Sequence, residues 1–156
     1  MTDVATLRRV LGDYRRIAVV GLSSDPMRPS YFAAKYLKDH GYTVIPVNPK
    51  YESILGETCY PDLTSIPEPP EVVDLFQRSE RVGPFVDQAI EIGARVVWMQ
   101  LGVVNEAAAE RARAAGLEVI MDRCMKIEYA RLFGGLNWCG VDTGIISAKR
   151  PLSVIT

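Results

Sequence analysis

Short apolar runs alternate with segments of helical periodicity along most of this chain. Val4, Leu7, Val10 and Leu11 recur at helical spacing with Arg8, Arg9 and Asp13 on the other side, which predicts a helix from about Val4 to Tyr14. Ile17 to Val20 form a β-branched, uncharged run that stops at Gly21, so a first strand is expected there. After a loop, Phe32, Ala33, Tyr36 and Leu37 make one apolar stripe, which predicts a helix capped by Ser30 and ended by Gly41. Thr43 to Val47 read as the second strand. Gly56, Pro61, Pro67, Pro69 and Pro70 mark a long connection with at most a short strand or one helical turn near Thr58 to Ile66.

Val72 to Phe76 then read as a third strand and Val82 to Ile92 as a helix stopped by Gly93. Arg95 to Leu101 are the fourth strand, its nearly continuous apolar run fitting the centre of a parallel sheet. Asn105 caps an alanine-rich helix running to Ala115, Glu118 to Met121 give a fifth strand, and Lys126 to Phe133 a short helix. Such alternation predicts an α/β fold with a five-stranded, doubly wound, Rossmann-like parallel sheet, expected strand order 3-2-1-4-5. One domain is expected over residues 1–156, with its core at about 10–132. From Gly134 the pattern is irregular: Trp138 reads as a core plug or an interface anchor, the core being favoured, and Ile145 to Thr156 as a tail that is partly disordered or packs on another subunit to make a homo-oligomer.

Ligands of such sheets bind at the carboxyl ends of the strands, where the following helix offers its N-terminus to anions. The first exit loop, GLSSDPMRPS, departs from the dinucleotide fingerprint, because Gly21 is present but Ser23 and Pro26 replace the other two glycines. The Ser23 and Ser24 hydroxyls can bond phosphate oxygens, and Pro26 and Pro29 hold Arg28 on a restricted loop as a phosphate fork. The second exit loop, Asn48-Pro49-Lys50, lacks the acidic residue that holds NAD ribose hydroxyls; Lys50 suits a phosphorylated ribose, as in NADP or coenzyme A.

Composition narrows the picture further. The net charge of −1 and the scattered basic residues give no surface for nucleic acid. No apolar stretch approaches a membrane span and no hydrophobic signal core follows Asp3, Arg8 and Arg9, so no membrane partner and a cytoplasmic location are expected. Cys59, Cys124 and Cys139 are widely spaced without a C-x-x-C, against a disulfide framework or a zinc site. His40, the single histidine, falls at a helix C-terminus and reads as an end charge, not a catalytic base.

Four pieces in chain order, G-x-S-x-x-P-x-R-P-S at Gly21 to Ser30, V-N-P-K at Val47 to Lys50, W-x-Q-x-G at Trp98 to Gly102 and D-R-C at Asp122 to Cys124, resemble the small stand-alone CoA-binding proteins. Their fold is that of the N-terminal domain of the succinyl-CoA synthetase α subunit. The resemblance implies that Gly21, Leu22, Ser23 and Ser24 wrap the diphosphate and that Lys50 meets the phosphate-bearing adenosine end, beside Asn48. It also implies that Phe76 and Arg78 flank adenine or ribose and that Met99, Gln100 and Leu101 line the path of the pantetheine arm. Nothing here matches the synthetase's phosphorylated histidine, so the expectation is a CoA or acyl-CoA carrier or regulatory module without catalysis. The alternatives are an NADP-dependent enzyme and an interaction subunit that needs its ligand for assembly.

Overall fold

The computed structural model describes residues 3–134. The expectations for Trp138, Cys139 and the tail lie outside the described residues. Along the chain run α1 (Val4–Asp13), β1 (Arg16–Val20), α2 (Pro29–Asp39), β2 (Thr43–Val47), a small hairpin of β3 (Ser53–Ile54) and β4 (Glu57–Thr58), and β5 (Val72–Leu75). Then follow α3 (Gly83–Glu91), β6 (Val96–Met99), α4 (Glu106–Ala114), β7 (Glu118–Ile120) and α5 (Met125–Phe133). Asp3 and Asn105 cap α1 and α4 through their side chains, which accept from the backbone N–H groups of Thr6 and Ala108. Ser30, expected as a cap, lies inside α2 instead. Pro29, whose fixed φ suits a first helical position, starts the helix after Arg28.

β1, β2, β5, β6 and β7 form the expected five-stranded parallel sheet, but their order corrects the expectation. It is β2-β1-β5-β6-β7, or 2-1-3-4-5 in strands of this sheet, not 3-2-1-4-5. Pro46 supplies a physical reason. It has no N–H, so it cannot take part in a ladder on that side, and an interior strand needs ladders on both. In β2 the Pro46 backbone faces away from β1: its carbonyl accepts from Tyr60 N at 3.0 Å, while the Tyr60 carbonyl accepts from Asn48 N at 2.9 Å. β2 is thus an edge strand, its flank closed by a single parallel bridge from Val47 to Tyr60. The third parallel strand, β5, therefore docks on the other side of β1, and the reversal of strand order falls between β1 and β5.

Side chains alternate between two cores. Ala18, Val20, Val73, Leu75, Val97 and Met99 pack under α3 and α4, and Ile17, Val19, Val72, Val96 and Trp98 under α1, α2 and α5. Burial on both faces explains why these strands read as unbroken apolar runs. The exception is Asp74 on β5, opposite Val19 of β1 and Trp98 of β6. It is 0% exposed, and neither carboxyl oxygen has a hydrogen-bond partner among the described residues. Burial holds its pKa well above the ordinary carboxylate range, so the folded protein keeps it protonated where an unfolded chain has lost the proton.

Two predictions come from this architecture. Between the unfolded carboxyl's value of about 3.9 and the raised folded value, the unfolded state binds fewer protons, so stability falls as pH rises, by up to about 1.4 kcal/mol per unit. Asp74→Asn is expected to raise the urea midpoint at pH 7.5 (about neutral) and to leave it nearly unchanged near the unfolded pKa; an equal shift at both values would refute the buried neutral acid. Gly21 has φ 86°, and a Cβ there would overlap the Phe76 carbonyl oxygen and lie 2.9 Å from Gln77 Nε2. Gly21→Ala is therefore expected to cost about 2 to 4 kcal/mol in equilibrium unfolding, whereas Gly93→Ala, with the same sign of φ and open space, costs less.

Candidate functional site

The carboxyl ends of β1, β5 and β6 carry three exit loops, each fastened by backbone or side-chain bonds. From β1 the chain turns at Gly21, whose N–H donates to the Val47 carbonyl at 2.9 Å. The loop then folds back on itself: Ser23 N donates to Ser30 Oγ at 3.1 Å, Asp25 N to Ser23 Oγ at 3.0 Å, and Met27 N to Asp25 Oδ1 at 2.9 Å. Arg28 and the start of α2 follow. α2 has no side-chain cap and no acidic residue in its first turn, which leaves the positive end of the helix dipole for an anion.

From β5, Phe76 N donates to the Val20 carbonyl at 2.9 Å, and the Ser79–Arg81 turn is pinned to the next loop. Val104 N donates to Ser79 Oγ and Asn105 Nδ2 to the Ser79 carbonyl, both at 2.9 Å. From β6, Gly102 N donates to Asp122 Oδ1 at 2.6 Å, Trp98 Nε1 to the Arg123 carbonyl at 2.7 Å, and Met125 N to Gln100 Oε1 at 3.3 Å. The W-x-Q-x-G and D-R-C pieces are thus two halves of one clamp, which sets α5 against the end of β6.

Between these loops and the first turns of α2 and α5 lies a cleft of about 750 Å³, within the usual range for small-molecule sites. Its cationic wall is Arg28, Arg78 and Arg81, and no Asp or Glu lines it. Arg28 has only an exposed pairing with Asp25 at 4.0 Å, while Arg78 and Arg81 make no ion pair among the described residues. The remaining wall is largely apolar, with Leu101, Val103 and Ile127 beside Gln100 and Cys124. A smaller pocket of about 280 Å³ near the amino ends of β1 and β2 carries Glu57 and Glu68, and is the poorer place for an anion.

Of the residues singled out from the sequence, the cleft gathers Gly21, Arg28, Phe76, Arg78, Gln100 and Leu101. Leu22 and Met99 do not reach it, because their side chains are buried in the two cores. Asn48 is spent on the fold: its Nδ2 donates to the Leu22 carbonyl at 3.1 Å and its Oδ1 accepts from Lys50 N at 2.9 Å. Ser23, Ser24 and Lys50 stand outside the cleft, on the side of the Gly21 loop facing the end of β2. The Ser24 and Ser23 hydroxyls hold the Tyr51 phenol's pKa down there. Sequence reasoning passed over Arg81, Cys124 and Ile127. Cys124 stood in the D-R-C piece, whereas Arg81 and Ile127 carry no signal beyond their neighbours. His40 stacks on Tyr36 at the far end of α2, its Nδ1 2.7 Å from the Tyr36 carbonyl, and is remote from the cleft.

No helix among the described residues is long and apolar enough to cross a membrane. The chain is 40% identical over 126 residues to the uncharacterized protein YneT of Bacillus subtilis, covering 81% of this chain and 93% of that one. It superposes on a hypothetical protein from Pyrococcus horikoshii with a TM-score of 0.83 at 45% identity, over 85% of this chain and 94% of that one. Acetate–CoA ligase (ADP-forming) I of Archaeoglobus fulgidus is 25% identical over 119 residues, and the chain spans only 17% of that enzyme. The CoA binding domain family matches residues 15–130, and with its loops closed around one cationic cleft the chain belongs to that family.

Proposed function

We propose that this protein binds coenzyme A or an acyl-CoA across the carboxyl edge of the sheet, as a carrier or regulatory module without a reaction of its own. The observation that carries the reading is the grouping of Arg28, Arg78 and Arg81 with the uncapped start of α2 in one cleft that holds no carboxylate. Guanidinium forks and a helix N-terminus together suit a diphosphate. From there the apolar wall at Leu101, Val103 and Ile127 suits the pantetheine arm, with Phe76 beside the ribose or adenine. Lys50, in the loop after β2, is the cation this reading assigns to the 3′-phosphate of the adenosine end. No histidine or carboxylate lines the cleft to act as a base, which favours binding over turnover.

Binding confined to the native state raises stability, by about 2.7 kcal/mol at a hundredfold excess over Kd. CoA is therefore expected to raise the melting temperature more than NAD or NADP does at equal concentration, and a larger shift with either dinucleotide would overturn the assignment. Calorimetry locates the two ends of the ligand. A charge-assisted bond from Lys50 to the 3′-phosphate, worth roughly 1.5 to 3 kcal/mol, makes CoA bind about tenfold to a hundredfold more tightly than dephospho-CoA. Lys50→Ala is expected to erase that difference, while Arg28→Ala and Arg81→Ala weaken both ligands alike. Parallel losses from Lys50→Ala would instead place Lys50 on the diphosphate.

A further inference from the structure

Cys124 stands at the start of α5 as a half-buried, unpaired thiol in the wall of the cleft. Its neighbour in that wall, Gln100, supplies an independent observation. Gln100 is only 4% exposed, and its Oε1 is committed to the Met125 N–H. That bond fixes which end of the amide is oxygen. The Nε2 donor is left without a partner among the described residues. Gln100 lines the cleft, so this donor is the polar atom of an otherwise buried side chain that is left for a ligand, and it suits one that brings an acceptor, such as an amide carbonyl, to the same wall as the thiol.

We infer that Cys124 captures the thiol end of the ligand as a mixed disulfide, by exchange with the disulfide of a pantetheine-type thiol. The inference rests on the CoA reading above and deepens it. The charge separation in the cleft orients the ligand: phosphates belong with Arg28, Arg78 and Arg81, so the arm, with its amide carbonyls and terminal sulfur, runs toward Gln100 and Cys124. Exchange suits a wall without an acid or base, because it needs only a thiolate and access to a sulfur–sulfur bond. Cys124 gives its proton to solvent and its thiolate attacks one sulfur of CoA disulfide. The new sulfur–sulfur bond forms as the old one breaks, and one CoA leaves as a thiolate that takes up a proton. The oxidising equivalent comes from the CoA disulfide, and excess thiol reverses the step. Cys59 offers no such site, for it is buried and its Sγ–H donates to the Asn48 carbonyl.

The test is intact-protein mass spectrometry with non-reducing peptide mapping after incubation with CoA disulfide or glutathione disulfide at equal concentration. Expected is a gain of one CoA less two hydrogens, on the peptide containing Cys124, removed by dithiothreitol and abolished by Cys124→Ser. It forms about tenfold faster than the glutathione adduct, because the bound nucleotide holds the disulfide in place. Capture on Cys59 or Cys139, or equal rates with both disulfides, would overturn the proposal as unguided thiol chemistry. Calorimetry with reduced CoA on the same protein separates the two readings. CoA binding without capture defeats the covalent step alone, and neither binding nor capture defeats the CoA assignment as well.

Discussion

The whole carboxyl edge depends on one close approach. At the end of β1 the Gly21 backbone lies so near the Phe76 carbonyl that no side chain fits between them. The contact lets β5 run directly against β1, with Phe76 N bonded to the Val20 carbonyl, and so brings the second cationic loop beside the first. A methyl group at Gly21 would push against the Phe76 carbonyl and strain the junction between the two loops that carry Arg28 and Arg78. The glycine that resembles part of a phosphate-binding fingerprint is here first a packing device. Its nearest neighbours are another loop's carbonyl oxygen and the Gln77 amide.

The edge is rigidly fastened where it needs to present groups. Asp122, Trp98 and Gln100 spend their polar atoms on Gly102, Arg123 and Met125, so the β6 exit and the first turn of α5 form one unit. Asn48 does the same between the β1 and β2 exits. Against these satisfied groups, three features stand out among the described residues: Arg78 and Arg81 without an ion pair, the Gln100 Nε2 donor and the buried Asp74. The first two face the cleft. Asp74 lies on β5 two residues before Phe76, on the same face of the sheet, as an acid kept neutral by its surroundings. A fold that tolerates such groups gives up stability near a site, as binding and catalytic proteins commonly do.

The relatives frame the functional reading. The chain matches the CoA binding domain family over residues 15–130 and aligns with 17% of the length of a CoA ligase. Arg81 and Cys124, both in the wall of the cleft, are open to direct tests.

Much of the molecule was legible in the amino-acid order. Period-3.6 stripes placed α1 to α5 and β-branched runs placed the five parallel strands, because backbone geometry imposes those spacings locally. That Gly21 and Arg28 fall in the cleft was legible from the strand-exit rule, and that Phe76, Arg78, Gln100 and Leu101 do so was legible through the resemblance. Pro46, which lacks an N–H, also marks an edge strand, against the expected order 3-2-1-4-5. What tertiary structure alone decided is which exits become neighbours. The 48–71 connection is long enough to carry β5 to either side, and only its docking against β1 brings Arg81 and Cys124 into the same cleft as Arg28. Likewise, Leu22 and Met99 looked like site residues from their positions in the chain. The side to which each chain direction turns them put their side chains in the cores, because alternation along a strand and its exit leaves every second residue facing inward.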